Sequence, residues 1–324
     1  MNLPFKTLPE LLQYFNSEDR ARTFLEQSRW PDGNIICPFC LTERAYRNGD
    51  CKTFKCRHLD CKANFSVTVG TMMENTKLPL CKWFAAIWLI TNHKKGISSC
   101  QLARDLGIGQ KAAWFLNHRI REMVTEKAPQ LLQDHVMVDE SHVGGKFVNM
   151  HKTKRARHLE AGISNKTPVM GMVQQDGKAR LFVIGNAPFK YHVRQNVATS
   201  AVIVTDEHLG YQGLATEYKS HFTVNHSQLE FKRNGYSTNA VEGFFSLFKR
   251  MYIGTYHVMS PYHLNRYCQE HAYRFNTRKI KDGLRFLDVM SKTKGRLKYK
   301  DLIAPKPEPP KPPTKGIEFI NEDL

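Results

Sequence analysis

Four cysteines in two close pairs constrain this chain more than any other feature. Cys37-Pro-Phe-Cys40 is a CxxC, and Cys56-Arg-His-Leu-Asp-Cys61 supplies a second pair after a hairpin-sized gap. Two thiolate pairs, each presented by one turn, form the tetrahedral ligand set of a structural zinc ion. The metal then joins turns too short to hold together alone. The second pair is wider than usual, so Cys51 and His58 stand as alternatives for one ligand. Cys56 and Cys61 are preferred because they flank a turn as Cys37 and Cys40 do. Ala45-Tyr46, Thr53-Phe54-Lys55 and Asn64–Val67 read as strands of a small ribbon. All eight cysteines except Cys268 fall before residue 101. The opening residues carry Glu10 and lack a signal-peptide pattern, so the thiols read as metal ligands rather than disulfides, and a cytoplasmic protein is expected. Four thiolates leave no open coordination position, so this zinc shapes the chain and takes no part in chemistry.

Charge narrows the partner. The 324 residues include 48 Lys+Arg against 30 Asp+Glu, a net charge of +18. Such an excess suits nucleic acid or an anionic membrane surface. No apolar run reaches the roughly 18 residues of a membrane span, and no basic amphipathic helix stands out. DNA is therefore the expected partner and a membrane is not. The length predicts more than one domain.

The front of the chain reads as helical around the ribbon. Short helices are expected near Thr7–Phe15 and Glu18–Arg29, and an apolar helix over Leu80–Asn92. The segment after Lys94-Lys95-Gly96 has the form of a helix-turn-helix. Ser98 or Ser99 caps a first helix with Leu102, Ala103 and Leu106 inward. Gly107-Ile108-Gly109 makes the turn, and a second helix runs from Gln110 to Met123. With Ala113, Leu116 and Ile120 inward, Lys111, Asn117, His118, Arg119 and Arg121 are left to face a DNA groove or backbone. A linker helix is expected over Val124–Gln133.

The pattern then changes to strands. His135–Val143 alternates, and Pro168–Gln174 pairs with Ala179–Gly185 across a turn at Gln175-Asp176-Gly177. A helix is read within Tyr191–Ser200, and Ala201–Thr205 is a buried-type strand. This order gives an α/β domain with a mixed sheet. Asp139 and Asp206 each end a β-rich run, the place where open α/β sheets build sites. A third acid lies in Asn234–Tyr252. There Val241, Phe244, Phe245, Phe248 and Tyr252 recur at helical spacing, while Asn239, Glu242, Ser246 and Lys249 share the opposite face. By itself that face reads equally as a capping box, with Asn239 as N-cap and Glu242 at the third position. With Asp139 and Asp206 it reads as a carboxylate trio that can hold two divalent metal ions. Mg²⁺ (or Mn²⁺) would activate a water or 3′-hydroxyl and stabilise the leaving oxygen in phosphoryl transfer.

These residues resemble the bacterial insertion-sequence transposases of the DDE class, in the group with an N-terminal zinc ribbon and an ISXO-type catalytic domain. The matching stretches are Cys37-Pro-Phe-Cys40, Cys56…Cys61 with Phe65–Thr71, Lys94–Ser98 with Gln101–Gly107, Val138–Lys146, Thr205–Glu207 with Tyr211, Thr238–Arg250, Gly254–His257 and His271–Asn276. Ser141-His142 stands where Thr-Tyr is expected. The resemblance implies a multi-domain α/β protein whose RNase H-like mixed-sheet core follows a zinc ribbon and a helix-turn-helix. It implies Asp139, Asp206 and Glu242 as metal ligands, with Asn239 as rival or helper to Glu242, and Lys249 at DNA near the cleavage point. The expected divisions are helices over 1–30, the ribbon over 31–70, a DNA-binding helical region over 71–133, the catalytic domain over 134–300 and a proline-rich tail over 301–324. DNA contacts are expected from Lys111, Arg119, Arg121, Lys249 and Arg250. Lys146, Lys154 and Arg155 add to these from a basic loop over Lys146–His158. Arg266, Arg274, Arg278 and Lys279 are expected on the surface. The function implied is binding of terminal inverted repeats of double-stranded DNA, strand cleavage and strand transfer, by a homodimer or larger assembly near the nucleoid. A zinc-dependent DNA-binding regulator without chemistry and a structure-specific nuclease are the other readings.

Overall fold

The computed structural model describes residues 3–145, 147–160, 164, 166–175, 177–185, 187–224 and 237–304. Of the expected proline-rich tail only residues 301–304 are described, 301–303 as the end of a helix, and Lys146 lies outside the described residues.

Helix α3, Leu80–Asn92, organises the front half. Nearly every residue from Leu80 to Thr91 is buried, as expected of a helix that is apolar all round and sits at the centre of a core. Around it pack α1 (Leu8–Tyr14), α2 (Glu18–Arg29), α4 (Ser99–Leu106) and α5 (Gln110–Val124). Ser98 caps α4 by accepting from the Gln101 amide at 3.1 Å. Gly107 ends α4 in the left-handed region at φ 58°, where glycine carries no Cβ penalty. The ribbon strands β1 (Ala45–Arg47), β2 (Thr53–Cys56) and β3 (Asn64–Ser66) form an antiparallel sheet. Phe54 and Phe65 pair across it and join the same core.

The five-stranded sheet of the second half runs β6-β5-β4-β7-β8. Strands β4 (His135–Val143), β5 (Thr167–Gln174) and β6 (Ala179–Val183) are antiparallel, while β7 (Val202–Thr205) and β8 (Ser220–Thr223) run parallel to β4. This is the mixed sheet expected of the core. Its two faces are covered differently. Met137, Val169, Val173 and Val204 pack under α8 (Asn239–Met251) and α9 (Pro261–Asn276). Val136, Val138, Met170 and Ile203 pack with Val193 and Val197, in and just after α7 (Phe189–Asn196), and with Tyr211.

Several expectations are corrected. No helix follows Val124: residues 125–133 are irregular, and Leu132 bridges to Val197. Pro129 disfavours helical geometry at the residue before it. The basic stretch over Lys146–His158 contains helix α6, Lys152–Glu160, built from good helix formers. Residues after Lys281 do not extend the catalytic core. Helices α10 (Asp282–Ser291) and α11 (Tyr299–Ile303) return to the front half, where Phe286, Val289, Met290 and Leu302 complete its core. Arg285 caps the end of α3 from there, donating to the Thr91 carbonyl at 3.0 Å and to Asn92 Oδ1 at 3.1 Å.

A buried polar knot joins the halves. Glu270 on α9, 1% exposed, accepts from Arg121 Nε of α5 at 2.6 Å, from the Tyr256 hydroxyl at 2.8 Å and from Arg274. Arg274 also donates to the Ile90 carbonyl of α3 at 3.2 Å. It is therefore not on the surface as expected. Burial alone would raise the Glu270 carboxyl, but Arg274 and Arg121 outweigh it and hold the group at about 2. Its folded value lies below its ordinary one, so its contribution to stability is present above about pH 4.5 and lost as the pH falls toward 2. Glu270→Gln leaves two guanidiniums with no buried counter-charge. It is expected to cost about 3–5 kcal/mol in denaturant unfolding at neutral pH and to remove this part of the acid dependence.

Candidate active site and metal centres

The register of β4 sets the site. Asp139 pairs directly with Gly171 on β5, so the two residues present the same face of the sheet. A Cβ at Gly171 would lie 2.8 Å from Phe245 Cζ and 3.4 Å from Val241 Cγ2, both on α8. Glycine therefore lets α8 settle onto the sheet, and Asp139 faces the helix that carries Glu242. On the other side, β7 follows β4 in parallel up to Met137↔Val204. Continuing that register sets Asp206 level with Asp139. Asp139 does not end its strand as expected. It sits where the parallel partner stops and the antiparallel one continues.

Carboxylate oxygens of Asp139, Glu140 and Asp206 all lie within 4.8 Å of one another. Burial pushes the Asp139 carboxyl up to about 6. The Glu140 amide, donating to Oδ1 at 2.7 Å, opposes this, while the charges of Glu140, Asp206 and Glu242 add to it. Glu140 is also raised by burial, against the Tyr211 hydroxyl that donates to its Oε2 at 2.6 Å. The His208 amide donates to Asp206 Oδ1 at 3.1 Å. Glu140 carried no special weight in the sequence, because alternation along a strand turns it to the face opposite Asp139. The Glu that follows Asp139 was the only signal.

Glu242 is exposed on α8, outside that 4.8 Å group, although its charge is felt at Asp139. Its Oε1 accepts from the Thr238 hydroxyl at 2.7 Å. Thr238, not Asn239, is the N-cap and makes no side-chain cap bond to the backbone. Val241 then stands at the third position, so Asn239 and Glu242 do not form the capping box. Asn239, Ser246, Lys249 and Arg250 are exposed beside Glu242.

The ribbon gathers the expected thiols. Cys37, Cys40, Cys56 and Cys61 bring their sulfurs within 4.8 Å of one another. Cys37 and Cys61 are 3.7 Å apart, and Cys40 and Cys56 3.5 Å. Cys51 is exposed outside the group and His58 is not among the four. Four converging sulfurs fit a structural zinc ion, and three carboxylate oxygens fit a hard divalent cation.

The structure divides the expected DNA contacts. Lys111 is exposed, its ammonium 5.0 Å from the Tyr299 ring centre. Asn117, His118, Arg119 and Arg121 are buried, which removes them from a DNA-facing surface. Arg119 donates to the Leu297 and Glu74 carbonyls at 3.3 and 3.2 Å. His118 packs among Trp114, His263 and Tyr267. The reason is that α5 packs against α3 and α4 and also against α9, so both its faces turn inward. Arg155 is half-buried on α6, and of Lys154 only the backbone, within α6, is described.

Comparison with known proteins agrees with this geometry. Residues 131–276 match the ISXO2-like transposase domain, a DDE family, and residues 16–64 match the transposase zinc-ribbon domain. The chain thus carries the zinc-ribbon and DDE domains of insertion-sequence transposases. It is 27% identical over 263 residues, 76% of this chain and 85% of the relative, to an uncharacterized protein in transposable element ISH50 of Halobacterium salinarum. In this transposase the acids lie within the DDE domain and the four cysteines within or at the edge of the ribbon match. Among the described residues no helix is long and apolar enough to cross a membrane.

Two outcomes follow from this geometry. Gly171→Ala is expected to cost about 1–3 kcal/mol by overpacking α8, whereas Gly185→Ala, with open space at its Cβ, leaves the melting temperature unchanged. Cys61→Ser is expected to lose bound zinc in elemental analysis of the purified protein, and Cys51→Ser to retain it.

Proposed function

We propose that this transposase binds the inverted-repeat ends of an insertion sequence, cleaves a strand there and transfers the freed 3′ end to target DNA. The observation that carries the reading is the convergence of Asp139 and Asp206 at the fork between β4 and β7, beneath the helix bearing Glu242. Asp139, Asp206 and Glu242 would hold Mg²⁺ or Mn²⁺, with Asn239 beside them. When bound, the metal supplies an activated oxygen nucleophile and stabilises the leaving oxygen of an in-line displacement.

The chain's own residues do the rest. Lys249 and Arg250, exposed near Glu242 on α8, would neutralise backbone phosphates and hold the scissile strand against the site. Gly171 and Phe245 fix the height of α8 above the sheet, and with it the position of Glu242. The zinc ribbon and the α4–α5 pair would bind the element ends, with Lys111 on the exposed side of α5. Bringing two ends together requires at least two copies of the chain. DNA as the substrate places its work in the cytoplasm, at the nucleoid.

The test is cleavage of DNA carrying the element ends, with Mg²⁺ or Mn²⁺. Asp139→Asn and Asp206→Asn are expected to keep end binding and to lose cleavage by about a hundredfold or more, since a metal's stabilisation is worth several kcal/mol. Glu242→Gln is expected to behave alike. If Glu242→Gln still cuts while Asn239→Ala does not, the third ligand is Asn239. A wild-type protein that binds ends but never cuts with either metal would defeat the reading in favour of a non-cutting regulator.

A further inference from the structure

We infer that Glu140, oriented by Tyr211, is a further carboxylate ligand of the divalent cation held between Asp139 and Asp206. The inference rests on the reading that this site binds such a cation. It adds a residue to the expected trio and an order to the filling of the site.

Glu140 follows Asp139 along β4, so its side chain leaves the sheet on the α7 side, where Val136 and Val138 are also buried. That direction would ordinarily carry it away from Asp139. Its carboxylate nevertheless lies within 4.8 Å of both aspartates, because β7 stops short of it and the longer side chain reaches into the fork. Tyr211 holds it there. The phenol is 1% exposed and its hydroxyl donates to Oε2 at 2.6 Å, which leaves Oε1 turned by a fixed partner. A ligating carboxylate is commonly held by a hydrogen bond of this kind.

The identity of the partner separates a ligand from a structural acid. Glu270, the buried acid of the polar knot, is neutralised by two arginines. Glu140 receives a neutral phenol. Among the described residues, neither Glu140 nor the two aspartates is ion-paired to a lysine or arginine. Three partly buried carboxylates at this spacing repel one another, and a cation is the group that relieves them. Glu242 stands apart from the set, bound by Thr238 on α8. The first cation therefore needs only β4 and the end of β7, and it binds before α8 or DNA contributes.

The test is Mn²⁺ binding to the full zinc-loaded chain without DNA, followed by electron paramagnetic resonance, with melting temperature recorded alongside. Glu140→Gln is expected to weaken the tightest Mn²⁺ site at least tenfold. Tyr211→Phe is expected to weaken it about tenfold, the scale seen when an outer partner of a metal ligand is removed. Asp139→Asn separates the two levels of the argument. If Asp139→Asn weakens Mn²⁺ while Glu140→Gln and Tyr211→Phe do not, Glu140 is not a ligand, although the metal site stands. If Asp139→Asn has no effect, the metal-site reading fails and this inference with it. Should Glu140→Gln not fold, Tyr211→Phe, which keeps the buried ring, decides alone: unchanged Mn²⁺ affinity overturns the inference and weakened affinity at an unchanged melting temperature supports it.

Discussion

A single buried carboxylate ties this protein together. Glu270 lies among Arg121 from the front half, Arg274 of its own helix and the Tyr256 hydroxyl that follows the helix of Glu242. Arg121 reaches it from the front half, and Arg274 in turn reaches the Ile90 carbonyl of α3. Surrounding hydrophobic contacts tolerate small slips, whereas a buried acid shared by two guanidiniums fixes direction as well as distance. Gly96 makes room for the arrangement, since any Cβ there would collide with the Tyr256 hydroxyl. The region between α3 and α4 is thereby held against the turn after α8.

The catalytic end follows the opposite rule. There, Asp139, Glu140 and Asp206 are gathered with no ion pair to a lysine or arginine among the described residues, and the sheet bears the cost. Backbone pairing holds Asp139 and Asp206 level whatever their repulsion, because the register of β4 and β7 is set by Val136, Met137, Ile203 and Val204 in two buried layers. One acid group is stabilising because it is matched, and the other is useful because it is not. The two lie on α9 and β4, which contribute to one hydrophobic layer.

Much of this was legible in the sequence where the signal was local. The cysteine pairs, the turn at Gly107, the alternation of His135–Val143 and the apolar stripe of α8 each follow from spacing a few residues long. Asp206 was legible because strand ends and chemistry coincide, whereas Asp139, picked out on the same ground, sits within a strand that runs on to Val143. What escaped depends on partners distant in the chain. Arg119 and Arg121 look like a basic face until α9 and the Leu297 segment cover them. Phe286 and Met290 show a helical period but not which core they enter. Glu140 is turned away from Asp139 by strand alternation, and only the early end of β7 and the placement of Tyr211 bring it back.

The return of α10 and α11 to the front core has a consequence for how the protein comes into being. Phe5, Phe15 and Phe84 meet Phe286 in one aromatic cluster, so the front half lacks part of its interior until residues 282–303 have been synthesised. The catalytic sheet and its two covering helices are complete earlier. A growing chain on the ribosome thus finishes its five-stranded sheet half before its front half can close. A chain released before α10 would keep the acids of the site while lacking a wall of the front core.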